Sequence, residues 1–92
     1  MRLVKLEARR KMIDRIRSLF ARNDALPFDI EKLSDQDNLY DAGMTSFASV
    51  QIMLAIEEEF DTEFPERMLT RRTFASVANI AEAVSQLTEQ SN

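Results

Sequence analysis

Residues 41–60 read DAGMTSFASVQIMLAIEEEF, and the passage from Asp41-Ala42-Gly43-Met44-Thr45 into Ser46-Phe47 is where the chain declares its fold. Val50, Met53 and Leu54, with the Ile52-Ile56-Phe60 series, recur at the three- and four-residue spacing of a helix. Thr45 has the side chain of a helix N-cap, so the pattern predicts a helix from about Ser46 to Phe60. Its apolar face is wide enough for a helix packed between two neighbours, which places it at the centre of a helical bundle. Glu57-Glu58-Glu59 puts acids on what is left of its surface. Gly43 is the only glycine, and it stands where the backbone must turn tightly or let another molecule approach.

Outward from this centre, Leu3, Leu6, Ile13, Ile16 and Phe20 repeat at helical spacing, with Val4, Met12 and Leu19 widening the stripe. Residues 3–22 therefore read as one amphipathic helix, ended by Asn23-Asp24 and Pro27. Residues 23–45 have no sustained period. Phe28, Ile30, Leu33, Leu39 and Tyr40 are spaced as anchors that pin a long connection to the core, with the acids marking its solvent side. A connection of that length is usually functional or partly structured. Past the central helix, Pro65 suits the first position of a short helical turn over residues 66–69. Thr73 is the predicted cap of a last helix carrying Phe74, Val77, Ile80, Ala81, Val84 and Leu87. No strand-like alternation competes. The expected fold is all-α: one domain over residues 1–92, with a core of about 3–88, built as a bundle of three long helices, one short helix and a long first loop.

Composition narrows the chemistry. The 92 residues contain no cysteine and no histidine. Disulfides, thiolate metal sites and the usual general base of serine hydrolases are absent with them. The chain is expected not to be an enzyme. The longest apolar run, Ile52–Ile56, is far short of the ~20 residues that span a membrane. The N-terminus is charged from Arg2 and has no signal-peptide segment, so a cytoplasmic location is expected. Residues 1–22 are basic and amphipathic, but Glu7 and Asp14 interrupt the pattern of a transit or membrane-surface helix. Eight bases against two acids give residues 1–22 a charge of +6, whereas twelve acids against Lys32 give residues 23–66 a charge of −11. The acidic middle would repel phosphate backbones, which speaks against nucleic acid, and favours basic protein partners.

Two sites invite a test. Asp35, Asp37 and Asp41 have the odd spacing of a calcium loop, but the remaining loop positions fall on Leu39, Tyr40 and Ser46, none of which fits, so no metal is expected. Ser46 has no histidine to activate it. The alternative role is helix capping, shared with Thr45. Its setting suggests more: Gly43 precedes it, Met44 and Phe47 flank it, and a helix N-terminus suits a phosphate. An exposed hydroxyl there can be modified by another enzyme.

The stretch Leu39–Phe47, with Val50 through Glu63 and Pro65, resembles the acyl carrier proteins over about residues 3–88. In that family a serine in a Gly-x-Asp-Ser-Leu-type motif receives phosphopantetheine from coenzyme A. The resemblance implies that Ser46 is the attachment residue, with Phe47 in the leucine's place, and that a phosphopantetheinyl transferase, a loading ligase and an acceptor enzyme are the partners. It also implies a monomer holding an aminoacyl or acyl group as a thioester. Met44, Thr45, Phe47 and Val50 are the candidate partner contacts, although Phe47 and Val50 equally suit the core. Thr45 stands where many members carry aspartate, and Ala48, Ser49 and Gln51 leave the helix start uncharged where fatty-acid carriers are acidic. The pattern is more similar to stand-alone aminoacyl carriers loaded by synthetase-like ligases. Fatty-acid, polyketide, peptide-synthetase and D-alanyl carriers stay open, as does a helical interaction domain that carries nothing.

Overall fold

The computed structural model describes residues 2–24 and 26–90, with side chains described over 4–24 and 26–88. Three α-helices carry the fold: α1 (Arg2–Arg22), α2 (Ser46–Phe60) and α3 (Val77–Gln90). Two single 3-10 turns, Ile30–Lys32 and Glu66–Met68, lie in the connections, and no strand occurs among the described residues. The all-helical expectation holds, but the fourth, short helix is only the Glu66–Met68 turn. Pro65 sits one position before it as its cap, where its fixed φ of −67° is accommodated without an N–H.

The core is apolar and contiguous. Ile16, Leu19 and Phe20 of α1 meet Ala48, Ile52 and Ile56 of α2 and Val77, Ile80, Ala81, Val84 and Leu87 of α3. From the connections, Ile30, Leu39, Met44, Phe64, Met68 and Phe74 complete it, Phe64 and Phe74 meeting edge-on with ring centroids 5.2 Å apart. The α1 stripe is shorter than its period predicts. Val4 and Leu6 are exposed, as is every side chain from residue 4 to residue 11. Leu3, the stripe's first expected member, has its side chain outside the described residues.

The long first connection is tied down at both faces. Ile30 and Leu39 are buried, and Phe28, Leu33 and Tyr40 pack half-buried against the core, as their spacing anticipates. Its acids do more than mark the solvent side. Asp29 accepts from the Glu31 N–H and Asp37 from the Ser34 N–H, each closing a local turn. Asp35 pairs with Arg17 of α1 at 2.9 Å, and the same guanidinium donates to the Ile30 and Leu33 carbonyls at 2.8 and 2.9 Å. Leu39 N–H donates to Ala75 O at 2.7 Å and Ala78 N–H to Asp35 O at 2.9 Å, so the connection is also sewn to the start of α3.

Helix ends follow local chemistry, with one displacement. Thr45 caps α2 as its sequence predicts. Asp61 ends α2 in the left-handed region at φ 49°, and the Glu57 carboxylate reaches forward to accept the Phe64 N–H. That gives Glu57 a structural role beyond surface solvation. The last helix starts at Val77, three residues later than a cap at Thr73 implies. Ser76, buried, accepts the Asn79 N–H at 3.0 Å and is the cap, while Thr73 closes a turn on Thr70. Phe74 reaches the core from that turn, which is why it fits the helical period without being in the helix.

Candidate functional site

The junction before α2 is shaped by Gly43. Its φ of +118° is a conformation that L side chains rarely adopt, and a Cβ there would also meet Pro27 at 3.5 Å. The turn it permits is held by Gly43 N–H to Tyr40 O at 3.1 Å and Met44 N–H to Leu39 O at 2.9 Å. These bonds set Met44 inward and aim the next residues at solvent.

The cap and the site are divided between two neighbours. Thr45 Oγ1 accepts the Ala48 N–H at 3.0 Å, and the Thr45 carbonyl accepts the Ser49 N–H at 2.9 Å. Ser46, the first residue of α2, is exposed, and no hydrogen bond among the described residues engages its Oγ. The N–H groups of Ser46 and Phe47 likewise have no acceptor among the described residues, leaving partial positive charge beside the free hydroxyl. Ser49 Oγ, by contrast, is committed to the Ser46 carbonyl at 2.9 Å.

The expected contact residues separate. Thr45 is exposed but occupied as the cap. Phe47 and Val50 are 66% and 47% exposed, which resolves them away from the core. Met44 is 6% exposed and buried in the core, so it offers almost no surface to a partner. Leu54, 51% exposed, extends the Phe47–Val50 line by another turn and was not singled out by the sequence. The wide apolar face of α2 is thus only partly explained by centrality: Ala48, Ile52 and Ile56 are buried, and the excess width is an exposed stripe.

Beside Ser46, and sharing Val50 with that stripe, an open groove of about 440 Å³ runs along α2 past Ser49, Val50 and Met53, facing Leu69 and Arg71. Arg71 stacks over the Tyr40 ring with its guanidinium carbon 3.9 Å from the centroid. Neither residue was marked by the sequence as part of a site; the signal available was one basic pair, Arg71-Arg72, closing an acidic stretch. The calcium-like aspartates are otherwise employed, Asp35 on Arg17 and Asp37 on a backbone amide, and no metal-ligating group of three forms among the described residues. Nor, among the described residues, is any helix long and apolar enough to cross a membrane.

Comparison with known proteins identifies the family. The family model described as a phosphopantetheine attachment site matches residues 14–84. An aminoacyl carrier protein of Agrobacterium fabrum is 48% identical over 69 residues, 75% of this chain and 83% of the relative. Aminoacyl carrier protein 1 of Bradyrhizobium diazoefficiens is 32% identical over 78 residues, 85% of this chain and 82% of the relative. Among solved structures, one similar chain comes from a crystal of an engineered Bradyrhizobium japonicum glycine:[carrier protein] ligase complexed with carrier protein from Agrobacterium tumefaciens and ATP. It is 45% identical with a TM-score of 0.77, the match covering 83% of this chain and 99% of that one. With the matched model spanning the core and the Ser46 junction alike, the chain belongs to the phosphopantetheine-bearing carrier proteins.

Proposed function

We propose that the protein is an aminoacyl carrier whose phosphopantetheine is attached to Ser46 Oγ. One observation carries the assignment of the residue: Ser46 opens α2 with an exposed hydroxyl that its own helix does not use, because Thr45 does the capping. The residues present fit the group. The unpaired Ser46 and Phe47 amides and the N-terminal end of α2 suit a phosphodiester, and the groove past Val50 and Met53 offers room beside it. When bound, the cofactor supplies the thiol that a cysteine-free chain lacks.

The chain's own part is presentation. Ser46 offers its hydroxyl to a phosphopantetheinyl transferase without needing a base of its own. The exposed stripe of Phe47, Val50 and Leu54 is the apolar centre onto which partners dock. Tethering raises the effective concentration of the carried group at whichever enzyme is docked. The loading partner is an amino acid:carrier protein ligase, a reading supported by the relatives' names and by the ligase complexed with the similar chain. The uncharged start of α2, at Ala48, Ser49 and Gln51, fits such a partner better than the basic patches met by acidic carriers. A downstream acceptor enzyme completes the route, the carrier works in the cytoplasm, and it catalyses none of these steps itself.

Intact mass after incubation with coenzyme A and a broad-specificity transferase tests the attachment. The wild type gains one phosphopantetheine and Ser46→Ala gains none. With the ligase, ATP and amino acid added, the loaded protein gains one aminoacyl residue that hydroxylamine removes. Unmodified wild type, from folded protein, would overturn the carrier reading; loading with acyl groups alone would overturn the aminoacyl one.

A further inference from the structure

We infer that the groove beside Ser46 is a resting berth for the phosphopantetheine arm, in which Arg71, seated on the Tyr40 ring, is the counter-ion of the phosphodiester. The inference rests on the attachment at Ser46 and adds residues that the family match does not assign. The arm is an anion followed by a chain of amides and aliphatic carbons. The groove is built in the same terms: one cation, Arg71, with Val50, Met53 and Leu69 as apolar wall.

Arg71, like most of the described bases, joins none of the ion pairs among the described residues, although the chain carries a net charge of −4. It is exposed, and its position is set by the 3.9 Å stack on Tyr40 instead. Stacking occupies the face of a guanidinium and leaves its edge, with the N–H fork, free for a phosphate. Tyr40 itself is half-buried in the turn that leads through Gly43 to Ser46, so ring, cation and hydroxyl are held by one junction. Val50 and Leu69 are 47% and 48% exposed, apolar surface that a docked arm would cover.

The experiment follows side-chain signals by NMR in full-length, isotopically labelled protein before and after loading, with intact mass confirming complete modification. The Arg71 Nε–Hε signal is expected to move on loading, and the Met53 and Leu69 methyl groups to show NOEs to the arm. In equally loaded Arg71→Gln, those NOEs fall severalfold. Tyr40→Leu, which removes the platform and keeps the charge, weakens them in the same direction. Raising salt to about 1 M, where the screening length is ~3 Å, reduces the Arg71 shift. Fully loaded wild type whose Arg71 and Met53 signals coincide with the unloaded protein overturns the berth, as do NOEs that survive Arg71→Gln undiminished. A protein that gains no mass overturns the attachment reading, and the berth with it.

Discussion

Thr45 and Ser46 are adjacent hydroxyls with opposite duties, and substitutions at the two should separate stability from function. Thr45→Ala removes the acceptor of the Ala48 N–H and is expected to lower unfolding free energy by ~1 kcal/mol in a urea titration. Ser46→Ala removes a hydroxyl with no described partner, so its stability should change by less than ~0.5 kcal/mol while loading is abolished. The hydroxyl and its glycine were legible in the sequence because both depend on local chemistry: a cap type, a turn type, a helix start. Which of two neighbouring hydroxyls does the capping was not, since either residue type can serve. Met44 shows the same limit. Its side chain went inward because the Gly43 turn and the bond to Leu39 O fix its direction, and neither is visible in a one-dimensional pattern.

At the scale of the helix, α2 carries two apolar stripes with different uses. Ile52 is fully buried, and Ile52→Ala should destabilise by about 2–5 kcal/mol. Phe47→Ser and Leu54→Ser act on exposed side chains and are expected to leave the denaturation midpoint nearly unchanged. They should raise the KM for ligase-dependent loading, measured on protein already carrying the cofactor. An equal loss of stability in both sets would mean that the exposed stripe is core after all. Periodicity located α2 to the residue and found its width, but period alone assigns no face to solvent. The later start of α3 has a similar cause. Phe74 keeps the helical spacing while lying in a turn, so the pattern ran past Ser76, the real cap.

For the whole molecule, the least regular third of the fold is held by polar contacts. Arg17 joins α1 to Asp35 and to two carbonyls of the first connection, and its side chain is only 25% exposed. Arg17→Ala should cost about 1–3 kcal/mol, because those acceptors lose a charged donor; amide exchange would rise first in residues 30–39. The Arg9–Glu82 pair that links α1 to α3 is a milder case. The hydrogen bond from Arg9, with a smaller one from Gln86, holds the Glu82 carboxyl below its ordinary 4.5. A lowered carboxyl contributes its full stability above the unfolded value and loses it as pH falls through the folded one. Arg9→Ala should therefore cost a small amount of stability at neutral pH, small because the pair is exposed, and the difference from the wild type should vanish as pH falls below 4.5, which flattens the acid limb of the variant's stability profile. Charge segregation was plain in the sequence, but the pairing of Arg17 with Asp35 needed the fold to bring them together.

All of these scales converge on one hydroxyl. Trypsin cuts after Lys32 and Arg67 and nowhere between, so a single peptide, 33–67, holds Thr45, Ser46 and Ser49 together. Tandem mass spectrometry of that peptide from the transferase-treated protein is the most direct test. The expected result is one phosphopantetheine located on Ser46, with Thr45 and Ser49 unmodified. Modification on either neighbour, or none in folded protein, would contradict the assignment of Ser46 as the attachment residue.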